Sequence, residues 1–395
     1  MPALSTPHSR QHKSHKPSHS AGNGVGSTSL SFPAGSEIRS AAEQPPKGGF
    51  VPLLPRLQPP VQPSPMPPIL VLGAGVTGLS TAIRLRQAGA SVRVVAAVRP
   101  SEHPRAHAPG TWPPYPASLR AAAVWYPYHV SDPRVERWAA ATLHELHRLV
   151  DEPGAGVSIV PFVELFRGAP AEYAWSAAVR RFSAVPADRL PAGFASGWEM
   201  EVPFVDAPVY MRWLERRFLD LGGMIETRFV GSMGEVDMPG GVVVNCTGLG
   251  ARRLLDDADV YPCRGQVVRV RAPAVRAWTV SDDPAAGLTY VFARGHDVML
   301  GGTAEDGVWD ETVDPAAIDA LRKRAAALVP ATADAEVLEV AAGLRPQWRG
   351  GRVRVEREER PGGGAVVHSY GHGGSGFTLS WGCADDVARL ALAAT

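Results

Sequence analysis

The stretch that most constrains this sequence is Gly73–Gly78, GAGVTG, set between the apolar run Ile69–Leu72 and a helical pattern over Leu79–Ala88. Apolar residues at Leu79, Ala82, Ile83 and Leu85 give that helix one inward face; Gly89 ends it, and Val92–Ala96 is a second apolar run. A strand, a glycine turn, a helix and a second strand within about 30 residues form a dinucleotide-binding unit. Gly73 permits the tight turn, Gly75 lets backbone approach a pyrophosphate, and Gly78 lets helix and strand pack closely. The unpaired N–H groups at the helix start supply positive potential for phosphates. Ala74, Val76 and Thr77 therefore join the three glycines as candidate cofactor contacts. The second strand should end in an acid that holds ribose hydroxyls. Ala97 stands there instead; Glu102, a little further on, reads as a solvated loop residue, with substitution for the missing acid as the alternative.

Charge excludes several partners. The 395 residues carry 40 Lys plus Arg against 39 Asp plus Glu, a net charge of +1, so there is no general attraction to nucleic acid or an anionic membrane. No apolar run approaches the ~20 residues of a membrane span. The N-terminus lacks the order of a secretory signal, so a soluble, cytoplasmic protein is expected. Cys246, Cys263 and Cys383 lack any paired spacing, which indicates neither a disulfide framework nor a zinc site. Residues 1–65 hold 12 of the 37 prolines and little apolar periodicity. They read as a disordered extension, with Met66 as the start of the functional polypeptide.

Periodicity predicts helices over Pro133–Val150, Ala207–Leu221, Pro315–Leu328 and Leu379–Ala394. Strands are expected at Val157–Phe166, Ala178–Phe182, Met224–Val230, Gly241–Asn245, Val267–Val270, Tyr290–Phe292, Val298–Leu300 and Ala365–His368. Strand–helix alternation at both ends, with antiparallel strands between, implies an α/β chain of two interleaved domains. The expected division is a Rossmann-like nucleotide-binding domain (66–155, 203–260 and 340–395) and an antiparallel-sheet substrate domain (156–202 and 261–339).

Beyond the glycine turn, AAAVWYPY (121–128), VVNCTGLGA (243–251), YPCRGQVVRV (261–270), TYVF (289–292), MLGGT (299–303), GLRPQWR (343–349) and HSYGHGGSGFTLSWGCA (368–384) run in one order. Together they resemble the D-amino-acid oxidase family of flavoproteins across 67–395. The resemblance implies non-covalent FAD, a D-amino acid and oxygen as substrates, and hydride transfer to the flavin, giving an imino acid and then a 2-oxo acid, ammonia and hydrogen peroxide. By the same resemblance, Arg345 grips the substrate carboxylate, for which a planar, permanently charged guanidinium is suited. Tyr290 supports that carboxylate, and the Gly374 carbonyl accepts from the amine. Gly373, Gly374, Gly376, Phe377 and Thr378 wrap the flavin, Val230 and Thr247 follow the adenine and pyrophosphate, and Ser118, Ala123 and Val124 cross the phosphates and flavin. Hydride transfer from a neutral amine needs no base, so His372 is expected to be structural.

Three departures bear on this expectation. Arg99–Pro116 is longer than the family's link; His103 and His107 lie in it four apart, but Pro104 and Pro109 argue against a helix presenting both to a metal, and none is expected. The span from Asp283 to Tyr290 leaves little room for a lid. Ser375 stands where many relatives carry an aromatic, which predicts a roomier pocket for large apolar side chains. An acidic substrate would need a second cation, for which Arg264, Arg294 and Arg349 are candidates. A glycine, D-aspartate or N-substituted amino-acid oxidase, or a catalytically silent flavin protein, are the alternatives. A homodimer stays open, with no interface marked.

Overall fold

Ile69–Leu72 has no polar position, and all four residues are buried inside a six-stranded sheet. The structure is a computed structural model that describes residues 68–102, 114–128, 130–236, 238–283, 287–361 and 363–393. The extension 1–65, Met66, His103, His107 and Trp112 lie outside the described residues.

In chain order the elements begin with β1 (Ile69–Leu72), α1 (Val76–Gln87), β2 (Val92–Ala96), α2 (Ala117–Arg120), α3 (Val135–Leu149), β3 (Val157–Phe166), β4 (Arg180–Ala184) and β5 (Ser196–Val205). They continue with α4 (Ala207–Asp220), β6 (Met224–Thr227), β7 (Val242–Asn245), α5 (Ala251–Leu254), β8 (Val260–Arg271), β9 (Trp278–Asp283), β10 (Gly287–Ala293) and β11 (Val298–Gly301). The last are β12 (Glu305–Asp306), α6 (Pro315–Leu328), β13 (Glu336–Trp348), β14 (Arg354–Glu359), β15 (Ala365–Tyr370) and α7 (Gly376–Leu392).

The first sheet has the order β14-β15-β7-β1-β2-β6 and is parallel except for β14. That arrangement is Rossmann-like, with the glycine turn leaving the carboxyl end of its central strand. The second sheet runs β12-β8-β11-β10-β9-β3-β5-β4, with β13 paired to β8, and is largely antiparallel. The mixed α/β architecture expected from the alternation is therefore present.

Several boundaries differ from the sequence reading, each for a local reason. The helix α1 begins at Val76, because Gly75 caps it and its carbonyl accepts from Leu79 N–H at 3.0 Å. Strand β6 stops at Thr227 and frees Arg228–Val230 for the cavity described below. The closing helix α7 starts at Gly376, because a 3-10 turn at Gly373–Ser375 feeds it directly. The strand β13 was not anticipated: its first five residues are exposed and its interior holds a glycine and a proline. It also spans residue 340, where a domain cut was expected. Strands β9 and β10 pair as far as Asp283 with Gly287, so only 284–286, outside the described residues, join them.

Helix α7 packs against α1 and α3, and its approach to α3 is close. A Cβ on Gly382 would sit 2.4 Å from the Trp138 backbone. Asp386 clips the two helices: it accepts from Trp138 Nε1 at 2.9 Å and from Arg137 at 3.0 and 2.5 Å. Burial pushes this carboxyl up, but the bonds from Arg137 and Trp138 outweigh it and hold it below the usual carboxylate range. Its stabilisation is present above the unfolded-state value near pH 4 and is lost as pH falls through the depressed folded value. We expect Asp386→Asn to cost about 1–3 kcal/mol at pH 7, with the gap from wild type closing toward pH 3. Thermal unfolding at both pH values checks this; a gap that persists in acid sinks it.

Candidate active site

A cavity of about 390 Å³ reaches from the glycine turn of the first sheet to β10 and β13 of the second. At its first end, Gly73 has φ +102°, and a Cβ there would lie 2.5 Å from the Cys246 carbonyl oxygen. A Cβ on Gly78 would lie 2.0 Å from the Gly73 carbonyl oxygen. Neither position has room for a side chain, and Gly78 closes the turn from behind the wall. Gly75 differs, since a Cβ there would meet only Ser118 Oγ, at 3.3 Å. Gly73, Ala74, Gly75, Val76 and Thr77 all line the cavity, and Val76 N–H donates to Ser118 Oγ at 3.1 Å.

The next stretch of wall holds Ala97, Val98, Arg228, Phe229, Val230, Thr247 and Arg253. Glu102 is not part of it: its carboxylate accepts from Thr227 Oγ1 at 2.8 Å. Arg99 instead donates to Glu215 at 2.8 and 2.5 Å, and Ser101 donates to the same carboxylate. The polar groups after β2 thus staple that loop to β6 and α4, and among the described residues no acid replaces Ala97 on the wall.

At the other end Gly373, Gly374, Gly376 and Phe377 line the cavity, opposite Ala123 and Val124. Ala123 holds φ +51°, a conformation unusual for a residue with a Cβ. Thr378 lies behind the wall, where its hydroxyl donates to the Tyr126 carbonyl at 3.0 Å and accepts from Tyr126 N–H at 3.2 Å. Ser375 does the same for Tyr128, at 2.6 and 2.8 Å. Ser375 is fully buried in this contact and does not face the cavity. Ser375 therefore opens no space of its own onto the cavity, and the Tyr128 ring lies against Gly374.

Tyr290 and Arg345 reach the wall across neighbouring strands. Tyr290 on β10 pairs with Gly301 on β11, where a Cβ would lie 1.9 Å from the ring. Arg345 on β13 extends over Gly265 of β8, where a Cβ would lie 2.4 Å from the guanidinium. Two gaps in adjacent strands thus seat the two side chains. Arg345 Nη1 donates to the Thr303 carbonyl at 3.0 Å and lies 3.8 Å from Cys263 Sγ. Burial disfavours the Arg345 charge, but Tyr290, Cys263 and Tyr128 beside it more than offset that. Burial likewise raises the Tyr290 phenol, opposed by Arg345.

Tyr126, Phe162, Leu288 and Phe292 complete an apolar wall near this pair. His372 also borders the cavity, and burial pulls its imidazole down to about 4. It is neutral at pH 7. Arg264 is bound by Glu305 at 2.5 Å, Arg294 by Asp297 at 2.7 Å and Arg349 by Asp259 at 2.6 Å, and none lines the cavity. Gly265, Gly301, Tyr126, Tyr128 and Arg120 belong to the wall or its support and were not singled out from sequence. The paired strings CRGQ and LGGT held the signal for the two glycines, but only strand register reveals what crosses them.

A dinucleotide cradle joined through one cavity to an antiparallel sheet defines the two-layer class of flavin-dependent oxidoreductases. A family model of FAD dependent oxidoreductases matches residues 68–390. The D-amino-acid oxidase of Rubrobacter xylanophilus is 44% identical over 329 residues, covering 82% of this chain and 96% of that protein. The D-aspartate oxidase of Homo sapiens is 32% identical, over 82% of this chain and 94% of that protein. A glycine oxidase from Bacillus cereus shares the fold, with a TM-score of 0.64 at 20% identity, over 82% of this chain and 94% of that one. The chain belongs to the FAD-dependent oxidoreductase family that includes the D-amino-acid oxidases. FAD is its non-covalent cofactor, and its chemistry is amino-acid oxidation by hydride transfer to flavin with oxygen as acceptor. The residues present fit that group: Gly75 opens onto the cavity, and His372 Nε2 is buried beside it without a hydrogen-bond partner among the described residues. No helix among the described residues is long and apolar enough to cross a membrane.

Proposed function

We propose that this protein is a D-amino-acid oxidase preferring substrates with uncharged, apolar side chains. The observation that carries the reading is the Arg345–Tyr290 pair, seated over Gly265 and Gly301 on the wall of the cavity that begins at the glycine turn. Arg345 offers two parallel N–H groups to a carboxylate, and the Tyr290 hydroxyl adds a third contact. The Gly374 carbonyl accepts an N–H of the amine, fixing which face of the α-carbon is presented. Tyr126, Phe162, Leu288 and Phe292 surround the side chain and exclude water. Bound FAD supplies the hydride acceptor. The imino acid then hydrolyses to a 2-oxo acid and ammonia, and oxygen leaves as hydrogen peroxide.

An acidic side chain could also draw on Arg120, a wall cation beside Gly343 of β13. That guanidinium stacks on Tyr115 at 4.2 Å and lies 3.9 Å from Glu339, which already opposes its charge. A peroxide assay across D- and L-amino acids, glycine and N-substituted glycines tests the reading. We expect D-Phe, D-Met and D-Leu to exceed D-Asp by about 10-fold or more in kcat/KM, in line with the cost of an unpaired buried carboxylate. D-Asp or glycine as the best substrate sinks it.

A further inference from the structure

We propose that Tyr126, Glu164 and Tyr173 form a proton exit from the cavity to the protein surface; the proposal rests on the amine-oxidation reading above. The Tyr126 hydroxyl donates to Glu164 Oε1 at 2.6 Å, the Tyr173 hydroxyl donates to the same oxygen at 2.7 Å, and the two hydroxyls are 3.0 Å apart. Tyr126 lines the cavity. Glu164 is 2% exposed and follows Phe162, another wall residue, on the same face of β3. Tyr173 is off the cavity wall and partly exposed, between exposed Glu172 and Ala174. The three groups therefore connect the site to solvent by short hydrogen bonds.

The surroundings keep this path dry. Trp175 stacks on Tyr173 at 4.5 Å and meets Tyr126 edge-on at 5.7 Å, and Phe162 stacks on Tyr126 at 5.2 Å. Tyr126 and Tyr173 face Glu164, while its partners across the sheet, Trp198 and Val280, carry no charge. A carboxyl set among aromatic rings is costly to bury, and an apolar residue would fill that space at lower cost. Burial and Glu164 hold the Tyr126 phenol well above its ordinary value, so it passes protons as a hydroxyl and does not ionise.

The reaction needs such a path. An amino acid arrives at neutral pH mainly as the ammonium form, whereas hydride loss from the α-carbon requires the nitrogen lone pair. One N–H bond of the ammonium breaks as the Tyr126 oxygen takes the proton. The former Tyr126 proton moves to Glu164; the Tyr173 hydroxyl, which donates to Glu164 at rest, turns toward solvent, so that its oxygen accepts the proton from Glu164 and its own proton leaves to water. Glu164 returns to its starting state, and no electrons change hands.

The test is anaerobic stopped-flow bleaching of the flavin in the holoenzyme from pH 6 to pH 10, with a pH-indicator dye reporting proton release. Glu164→Gln and Tyr126→Phe should slow bleaching about 10-fold or more at pH 7. Both should recover to within about threefold at pH 10, where the substrate arrives as free amine. Tyr173→Phe, off the cavity wall, should show the same pH-dependent loss, with dye and flavin signals delayed together. Thermal unfolding of each variant confirms that it folds. A loss of equal size at every pH, or Tyr173→Phe indistinguishable from wild type throughout, overturns the relay. If glycine or an N-substituted amine bleaches the wild-type flavin and D-amino acids do not, the substrate reading fails, and the same comparison is run with that amine.

Discussion

Arg345→Ala should yield a folded, flavin-loaded protein whose kcat/KM is lowered by about 10³-fold. The expectation rests on two charge-assisted hydrogen bonds to a carboxylate, each about 1.5–3 kcal/mol, with 1.36 kcal/mol per tenfold in rate. The loss should exceed that of any single apolar wall residue, because an unpaired substrate carboxylate would be left in a buried site. Arg345→Lys should recover only part of it, since an ammonium lacks the planar fork. Flavin absorbance at normal stoichiometry separates this outcome from loss of the cofactor. A kcat/KM within tenfold of wild type would mean that the carboxylate is held elsewhere.

The second large effect comes from a residue without a side chain. Gly265→Ala would place a Cβ 2.4–2.5 Å from the Arg345 guanidinium atoms, so the guanidinium must move. Displacing a substrate anchor by about 1 Å costs on the order of 10²-fold, and we expect that loss in kcat/KM. Gly265 lies in β8 and does not have a left-handed backbone, so folding should change by only about 1 kcal/mol or less. The decisive measurement is the double variant. If Gly265 acts through Arg345, Gly265→Ala should add almost nothing to Arg345→Ala, whereas independent sites would be additive. Full additivity sinks the idea.

Those two residues show what was legible in the sequence. The unit β1–α1–β2 could be read because an apolar run, a glycine turn and helical periodicity agree over a short span. Helix α6 could be read from Pro315 to Leu328, since Asp314 caps it and Pro315 opens it. Strand β13 was not, because its exposed start and its Gly343 and Pro346 resemble a loop until β8 pairs along its length. Arg345 was found through a resemblance, yet the glycine beneath it is set by cross-strand register, which no local pattern encodes. The same holds for Ser375: its identity suggested empty space, but the direction of its hydroxyl depends on a segment some 250 residues earlier in the chain. Glu164 was hidden for a related reason, because its two hydroxyl partners come from two other segments.

Ser375, at the end of the 3-10 turn, and Thr378, in the first turn of α7, grip the backbone at Tyr128 and Tyr126, each bonding both ways as a neighbouring strand would. The aromatic wall of the cavity and the glycine turn that leads into α7 are consequently one mechanical piece. An engineer who widens the cavity at Tyr126 or Tyr128 will also shift the glycine turn at Gly373–Ser375 that lines it. Substrate range and redox behaviour are therefore not independent dials in this protein, and a library meant to change one should be screened for both.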